Sequence, residues 1–85
     1  MSRVIEKENK NGTDKIKCEV FEEYGDPFGE GKWQYQLTKT AWNGRDPKYD
    51  LRRWSEDGQR FSSGLTFTDA ELYDLLNVIE EALGM

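Results

Sequence analysis

Residues 33–67, WQYQLTKTAWNGRDPKYDLRRWSEDGQRFSSGLTF, decide the fold. Asn43-Gly44 and Asp57-Gly58 divide this stretch, and both pairs tolerate the positive φ angles that tight turns need. The segments between the turns are rich in aromatic and β-branched residues. Their apolar side chains recur with a period of two, which is typical of β-strands with one buried face. The stretch therefore predicts three antiparallel strands.

The segment before this stretch predicts a fourth strand. In residues 16–24, apolar side chains alternate with charged ones, and a Gly- and Pro-containing loop follows. Residues 1–15 are polar and lack periodicity, so we expect a flexible N-terminal tail in which Val4 and Ile5 are candidates for a short strand. Residues 16–85 are then a single sheet-plus-helix domain.

The C-terminal segment predicts one helix. Thr68 is followed three residues later by Glu71, which is the spacing of a capping box, and Gly84 is a stop signal. The predicted fold class is α+β, a four-stranded antiparallel sheet followed by one C-terminal helix (ββββα). Apolar residues at helical spacing form one stripe along this helix: Leu72, Leu75, Leu76, Ile79 and Leu83.

The composition limits the chemistry of the chain. A chain of 85 residues has a thin core and often needs a disulfide, a metal or a partner chain. With one cysteine, Cys18, and no histidine, neither an internal disulfide nor a usual zinc set is available. We therefore expect a dimer, no cofactor and no metal. The missing histidine also weighs against an enzyme, since it removes the commonest general base.

The sequence contains neither a long apolar run nor a secretory leader pattern, so a cytoplasmic protein without a membrane partner is expected. Although the net charge is −5, residues 32–60 contain seven Lys or Arg against four Asp or Glu. This basic centre lies between two acidic flanks, and it is equally consistent with a binding footprint or with solvated sheet edges.

Basic and aromatic residues interleave within this centre. Cations follow the phosphates of single-stranded nucleic acid, and flat rings stack on its bases. The predicted helix contains five Asp or Glu and no Lys or Arg, so it is unsuited to the major groove of a duplex. The candidate contact residues are Lys39, Trp42, Lys48, Arg52 and Trp54.

Structural alternatives remain for several of these residues. Trp33 is more consistent with core or strand-end packing than with a binding platform. Trp54 has the opposite parity to Leu51, so we expect it to be exposed or interfacial. Asp50 and Arg52 share one parity, and a pairing between them is as consistent with the pattern as a phosphate contact by Arg52.

The block AWNGRDPKYDLRRWS (residues 41–55), followed by GQRFSSGLTFT and a capped helix, resembles the bacterial branch of a transcriptional coactivator family called positive cofactor four. The resemblance covers residues 33–83. It implies a curved sheet, a homodimer that pairs through its helices, and grooves that bind single-stranded DNA with little sequence preference. Transcription or DNA maintenance is the implied setting.

The resemblance also implies residue roles. The five candidate contact residues match basic and aromatic positions of the family, and Gly64-Leu65 matches a glycine-aliphatic step. One position departs from the pattern, because Ser63 stands where the family usually has Lys. Arg60 is the candidate to supply that charge.

Two hypotheses follow from the sequence. The first is a homodimeric single-stranded DNA-binding module, with RNA as a second possible ligand and the transcription machinery as a possible partner. The alternative is a protein-interaction domain of the same fold in which nucleic-acid binding is weak or lost. The acidic helix and Ser63 favour this alternative.

Overall fold

The computed structural model describes residues 3–8 and 15–85. One antiparallel sheet with strand order β1-β2-β3-β4-β5 precedes one helix, so the predicted α+β class is confirmed. Each strand pairs with its neighbour in the sequence. The elements are β1 (Arg3–Glu8), β2 (Lys15–Phe28), β3 (Gln34–Trp42), β4 (Lys48–Trp54), β5 (Phe61–Phe67) and α1 (Asp69–Ala82).

The sheet has five strands, so the prediction of four is wrong. The additional strand is β1, which lies within the segment expected to be a flexible tail. It forms because Ile5 supplies a buried anchor opposite Cys18 on β2. Residues 1–2 and 9–14 of the expected tail lie outside the described residues. The second strand is also longer than predicted and continues to Phe28 through irregular pairing.

Alternation along β3 and β4 divides the sheet into two faces. Thr38 lies opposite Asp50 on one face, and Leu37 lies opposite Leu51 on the other. We name the first the inner face and the second the helix face. The hydrophobic core lies on the inner face, where Trp42 and Phe61 pack against a cluster of buried side chains, namely Ile5, Cys18, Val20 and Trp54.

The sheet curls around its inner face, so that its first strand reaches its last turn. The Nη1 of Arg3 on β1 donates a 2.7 Å hydrogen bond to the carbonyl oxygen of Gly58, in the β4–β5 turn. Curling lets one strongly twisted sheet cover its own core. The polar residues Gln36 and Thr38 are enclosed on the same face.

Gly64 on β5 allows a close approach to β4. A Cβ at this position would lie 2.4 Å from the Cβ of Arg52 and 2.5 Å from the carbonyl oxygen of Leu51. The register also shifts between Arg52 and Trp54. Glycine within a strand, here after Ser62 and Ser63, predicts a bulge or a close backbone approach, and this prediction is confirmed.

The helix starts at the predicted capping box. The Thr68 hydroxyl accepts from the Glu71 backbone N–H, and the Glu71 carboxylate accepts from the Thr68 backbone N–H. The helix lies beside the helix face, against β4 and β5, and none of its residues is buried. Its position therefore leaves apolar surface uncovered on both the helix and the sheet.

Candidate nucleic-acid interface

Arg52, a predicted contact residue, lies inside the fold. Its Nε and Nη2 donate to the two carboxylate oxygens of Asp50 at 2.6 and 2.7 Å. The indole Nε1 of Trp42 donates to the same carboxylate at 2.9 Å. The guanidinium also lies 4.3 Å from the centre of the Trp42 ring. The pairing of Asp50 with Arg52 is thus present, and the Arg52 side chain, 11% exposed, offers a phosphate little surface in this conformation.

Trp54 is buried with 6% of its surface exposed, so the expectation of an exposed or interfacial Trp54 is wrong. Its ring packs 5.3 Å from that of Phe61, and the Arg3 guanidinium lies 4.8 Å from its centre. The physical reason is the curl of the sheet, which brings β1 over this end of β4. Trp42 is half-buried, and its ring lies 5.1 Å from that of Phe61 in an edge-to-face arrangement.

Lys39 and Lys48 lie together near the start of the helix. Lys39 Nζ is 4.4 Å from the centre of the Tyr49 ring and 3.7 Å from Asp69 Oδ1. Lys48 is exposed, and its charge is one of the smaller causes that lower the pKa of Glu71. The two lysines are therefore available at the surface, although acidic side chains offset their charge.

Arg60 lies at the opposite end of β4, roughly 20 Å away for a seven-residue strand. It lines a shallow groove of about 270 Å³ together with Lys32 and Trp33. Trp33 is 38% exposed and directly precedes the first residue of β3, so of the two expected alternatives core packing is wrong and a strand-end position is found. It lies in the loop before β3, where the sheet does not cover it. We name this surface the end groove; its other lining residues are Ser55, Glu56 and Asp57.

The β4–β5 turn fixes the shape of the end groove. Asp57 accepts hydrogen bonds from the Ser55 hydroxyl at 2.6 Å and from the Gln59 backbone N–H at 3.0 Å. These hydrogen bonds lower the pKa of the Asp57 carboxyl, and the bond from Ser55 has the largest effect. The carboxyl therefore stays charged near Arg60. The Arg60 backbone N–H donates to Ser55 Oγ at 3.0 Å. The turn thus holds Arg60 at the rim with an anion beside it.

A further cation–ring pair, Arg53 with Tyr35, lies on the helix face and was not predicted. The Arg53 guanidinium is 4.5 Å from the centre of the Tyr35 ring, and its Nη2 donates to the Tyr35 hydroxyl at 3.1 Å. Phe28 packs 5.5 Å from the same ring and is exposed. The strand parity of Tyr35 and Arg53 was a usable signal, but their pairing depends on the register of β3 with β4.

The helix and the helix face enclose an open apolar groove of about 540 Å³. We name it the helix–sheet groove. The sheet contributes Leu37, Leu51 and Phe67, among others. Of the predicted dimer residues, Leu83 does not line the groove and is largely exposed. The other four do line it: Leu72, Leu75, Leu76 and Ile79.

The remaining chemical features are few. Within residues 3–8 and 15–85, no three His, Cys, Asp or Glu side chains group to hold a metal. No helix in that part of the chain has the length and apolar character needed to span a membrane. Cys18 on β2 is buried in the core cluster beside Ile5, and burial raises the pKa of its thiol. Cys18 has the same parity as Ile16 and Val20 in the alternating segment, and this pattern predicts its burial.

Comparison with known proteins adds one relative. No family model matches the chain. A protein of Treponema pallidum (strain Nichols), described as "Uncharacterized protein", is 41% identical over 76 residues, which cover 85% of this chain and 89% of that protein. The chain belongs to the family of this treponemal protein. Because the match spans most of both chains, we expect the treponemal family to share the sheet-and-helix fold.

Proposed function

We propose that the protein binds single-stranded nucleic acid, DNA in the first place and with little sequence preference, at the end groove. One observation carries the proposal: an exposed tryptophan, Trp33, and two cations, Lys32 and Arg60, line the same open groove. Within the described residues, neither cation forms an ion pair of 4 Å or less. The resemblance to the coactivator family supports the same ligand class.

Each group in the end groove has a distinct part in binding. The Trp33 ring stacks on a base, while Lys32 and Arg60 neutralise the phosphates on either side. Glu56 and Asp57 oppose the phosphates, so the affinity is low and falls steeply with salt. Duplex DNA is a poorer ligand, because α1 carries acidic residues in its first turn and no basic residue in its last.

Lys39 and Lys48 extend this site to the other end of β4. A strand of seven residues spans roughly 20 Å, so both ends of β4 contact one ligand only if several nucleotides lie along it. The proposed contact set thus keeps Lys39, Lys48 and Arg60 from the sequence. It adds Lys32 and Trp33. It does not include Arg52 and Trp54, because their side chains are enclosed in this conformation.

The second part of the proposal is a homodimer that closes the helix–sheet groove. The helix has no buried residue, although Leu75 and Ile79 face an apolar sheet surface across open space. A second copy supplies the same apolar stripe and removes both surfaces from water, at roughly 25 cal/mol per Å² of apolar area. We place such a dimer in the cytoplasm, as an accessory of transcription or DNA maintenance.

The test is the fluorescence anisotropy of a labelled oligo-dT of about 20 nucleotides, longer than one module's site. The wild-type protein raises the anisotropy at low salt, and Trp33→Ala weakens binding about tenfold, since one stacked base contributes roughly 1–3 kcal/mol. Phe21→Ala removes an equally exposed ring, also 38% exposed, from β2 outside the end groove and is the matched control.

A matched pair of cation variants tests the location. Arg60→Ala weakens binding and reduces its salt dependence, whereas Arg45→Ala, in the β3–β4 turn, leaves both unchanged. Equal effects of the two variants contradict the end groove as the site. No rise in anisotropy at tens of micromolar wild-type protein contradicts nucleic-acid binding altogether.

A protein-interaction domain of the same fold is the second candidate. The observation that favours it is the enclosure of Arg52 by Asp50 and Trp42, together with the open apolar groove. Under this function, oligo-dT does not bind. A pull-down then recovers a protein partner with the wild-type chain and loses it with Ile79→Asp.

A further inference from the structure

β1 covers the rings of the inner face. The Arg3 guanidinium lies 4.8 Å from the centre of the Trp54 ring, and Lys7 Nζ lies 4.2 Å from the centre of the Phe61 ring. Between these two cations, Ile5 packs into the same cluster as Trp54. Three alternate side chains of one short strand thus cover the rings of Trp54 and Phe61, and Trp54 is one of the contact residues predicted from the sequence.

This cover leaves two buried hydrogen-bond donors without acceptors. Within the described residues, Arg3 Nε and Trp54 Nε1 are enclosed and make no hydrogen bond. Both groups lie at the contact between β1 and β4. An enclosed donor without a partner is destabilising, because it has lost its water and gained nothing in exchange. When β1 moves away, water or a ligand reaches both donors, so part of the free energy of opening is recovered.

The attachment of β1 is also limited. It is an edge strand that pairs with β2 alone. The hydrogen bond from Arg3 to Gly58 connects it to the opposite end of the sheet, and the ion pair of Arg3 with Glu23 is partly exposed. Exposed ion pairs contribute little, and edge elements with few buried side chains open before the rest of a fold.

The covered rings continue the end groove. Ser55 and Arg60 line that groove, and they are the chain neighbours of Trp54 and Phe61. A single strand that binds at the end groove therefore reaches the edge of β1. Its bases compete with the cations of β1 for the same ring faces.

We propose that β1 is a releasable cover, and that single-stranded nucleic acid displaces it to stack on Trp54 and Phe61. The proposal rests on the proposed function and adds a second part to its site. In the open state, bases occupy the ring faces, while Arg3 and Lys7 become free to bind phosphates. Only the open fraction binds in this mode, so the observed affinity is the intrinsic affinity reduced by the population of the open state.

A disulfide that holds β1 to β2 tests this mechanism in the full chain. Ile5 lies directly opposite Cys18, and both side chains are buried in one cluster. Paired residues of antiparallel strands have Cα atoms about 4.5 to 5.5 Å apart, within the range that a disulfide bridges. The variant Ile5→Cys therefore closes the cover when oxidised and releases it when reduced, with the sequence unchanged between the two states.

We expect the oxidised Ile5→Cys protein to bind oligo-dT about tenfold more weakly than the same protein in dithiothreitol. Wild-type protein, with one thiol, serves as the control and shows no change on reduction. Equal affinity of the oxidised and reduced variant overturns the proposal, because binding then requires no release of β1.

Hydrogen exchange of the wild-type chain is the second measurement, and it does not depend on the variant. Saturating oligo-dT increases amide exchange in residues 3–8 while it protects the β4–β5 turn. If oligo-dT protects residues 3–8 or leaves their exchange unchanged, the cover is not released on binding and the proposal is wrong.

If oligo-dT does not bind at all, the proposed function fails, and this inference falls with it. The cover itself is then judged separately: exchange of residues 3–8 as slow as that of β3 shows that β1 does not open locally.

Discussion

The Arg52 guanidinium and the Asp50 carboxylate form a bidentate ion pair two residues apart on one face of β4. Asp50 is fully buried, and the Arg52 side chain is 11% exposed. Trp42 donates to the same carboxylate and also stacks on the guanidinium. A buried charge is tolerated here because every part of it has a partner, so the pair is a part of the core.

Removal of one partner therefore destabilises the chain. Asp50→Asn leaves the Arg52 charge enclosed without a counterion, and we expect a loss of about 3–5 kcal/mol in the free energy of unfolding. Urea denaturation measures it. Asp46→Asn, at an exposed position before β4, is the matched control and stays near the wild-type value. Similar midpoints for the two variants contradict the role of the ion pair.

The close approach at Gly64 predicts a steric effect. In Gly64→Ala, the added Cβ would lie 2.4 Å from the Arg52 Cβ and 2.5 Å from the Leu51 carbonyl oxygen. Both distances are well below van der Waals contact, so β5 must shift. We expect a loss of about 1–3 kcal/mol in the free energy of unfolding, as overpacking usually produces. Ser63→Ala, at the neighbouring exposed position, changes stability little. Thermal melts that coincide for both variants exclude the clash.

The helix–sheet groove predicts how the dimer is disrupted. Ile79 lines the groove, whereas Val78 is 60% exposed and does not. Ile79→Asp introduces a charge into the proposed interface and gives a monomer, while Val78→Asp leaves the dimer intact. Both changes replace a β-branched residue in one helix turn, so they affect helix propensity alike. Analytical ultracentrifugation distinguishes the species, and a monomeric wild-type protein contradicts the interface.

The capping box predicts an acid-sensitive helix start. The pKa of Glu71 is lowered below its usual value. The main cause is the hydrogen bond from the Thr68 backbone N–H, and the second is the hydrogen bond with the Thr68 side chain. A carboxyl whose pKa is lower in the folded state contributes stability above its unfolded pKa of about 4.3, and this contribution is lost as the pH falls through the folded value.

The corresponding measurement is a comparison of urea midpoints at neutral and acidic pH. Glu71→Ala removes the contribution at neutral pH, so its midpoint falls less on acidification than that of the wild-type chain. Glu80→Ala changes an exposed carboxylate far from the cap and keeps the wild-type pH dependence. An unchanged pH dependence in Glu71→Ala contradicts the role of the capping box.

The elements predicted well are those with local signals. Asn43 and Gly44 adopt positive φ angles of 50° and 76°, as their identity predicts for a turn between β3 and β4. Thr68 and Glu71 form the capping box that their spacing predicts. Each of these signals acts within a few residues, so the sequence is sufficient to place the strands and the helix along the chain.

β1 could not be predicted with the same certainty. Its sequence, RVIEKE, surrounds two apolar residues with charges, and only Ile5 is buried. The strand is stabilised by its pairing with β2 and by the hydrogen bond from Arg3 to Gly58, which joins residues 55 positions apart. Such contacts exist only after the sheet has curled.

The candidate site was predicted in part for the same reason. Alternation correctly separates Trp54 from Leu51, but both faces of the sheet carry rings, and alternation does not say which face is covered. The curl encloses the face of Trp54, while Trp33 escapes burial because it precedes β3. The exposed end groove is built from two turns that are distant in sequence, and no spacing rule joins them.

The burial of Cys18 makes chemical modification of its thiol a measure of how often the sheet has opened. It is the single thiol of the sequence, 1% exposed, and burial raises its pKa, so it reacts slowly with oxidants and alkylating reagents while the sheet is closed. Each opening that exposes it gives one chance of irreversible modification. The fraction of chains modified at Cys18 therefore increases with the number of past openings. A ligand or partner that holds the sheet open raises the rate of modification, and one that holds it closed lowers that rate.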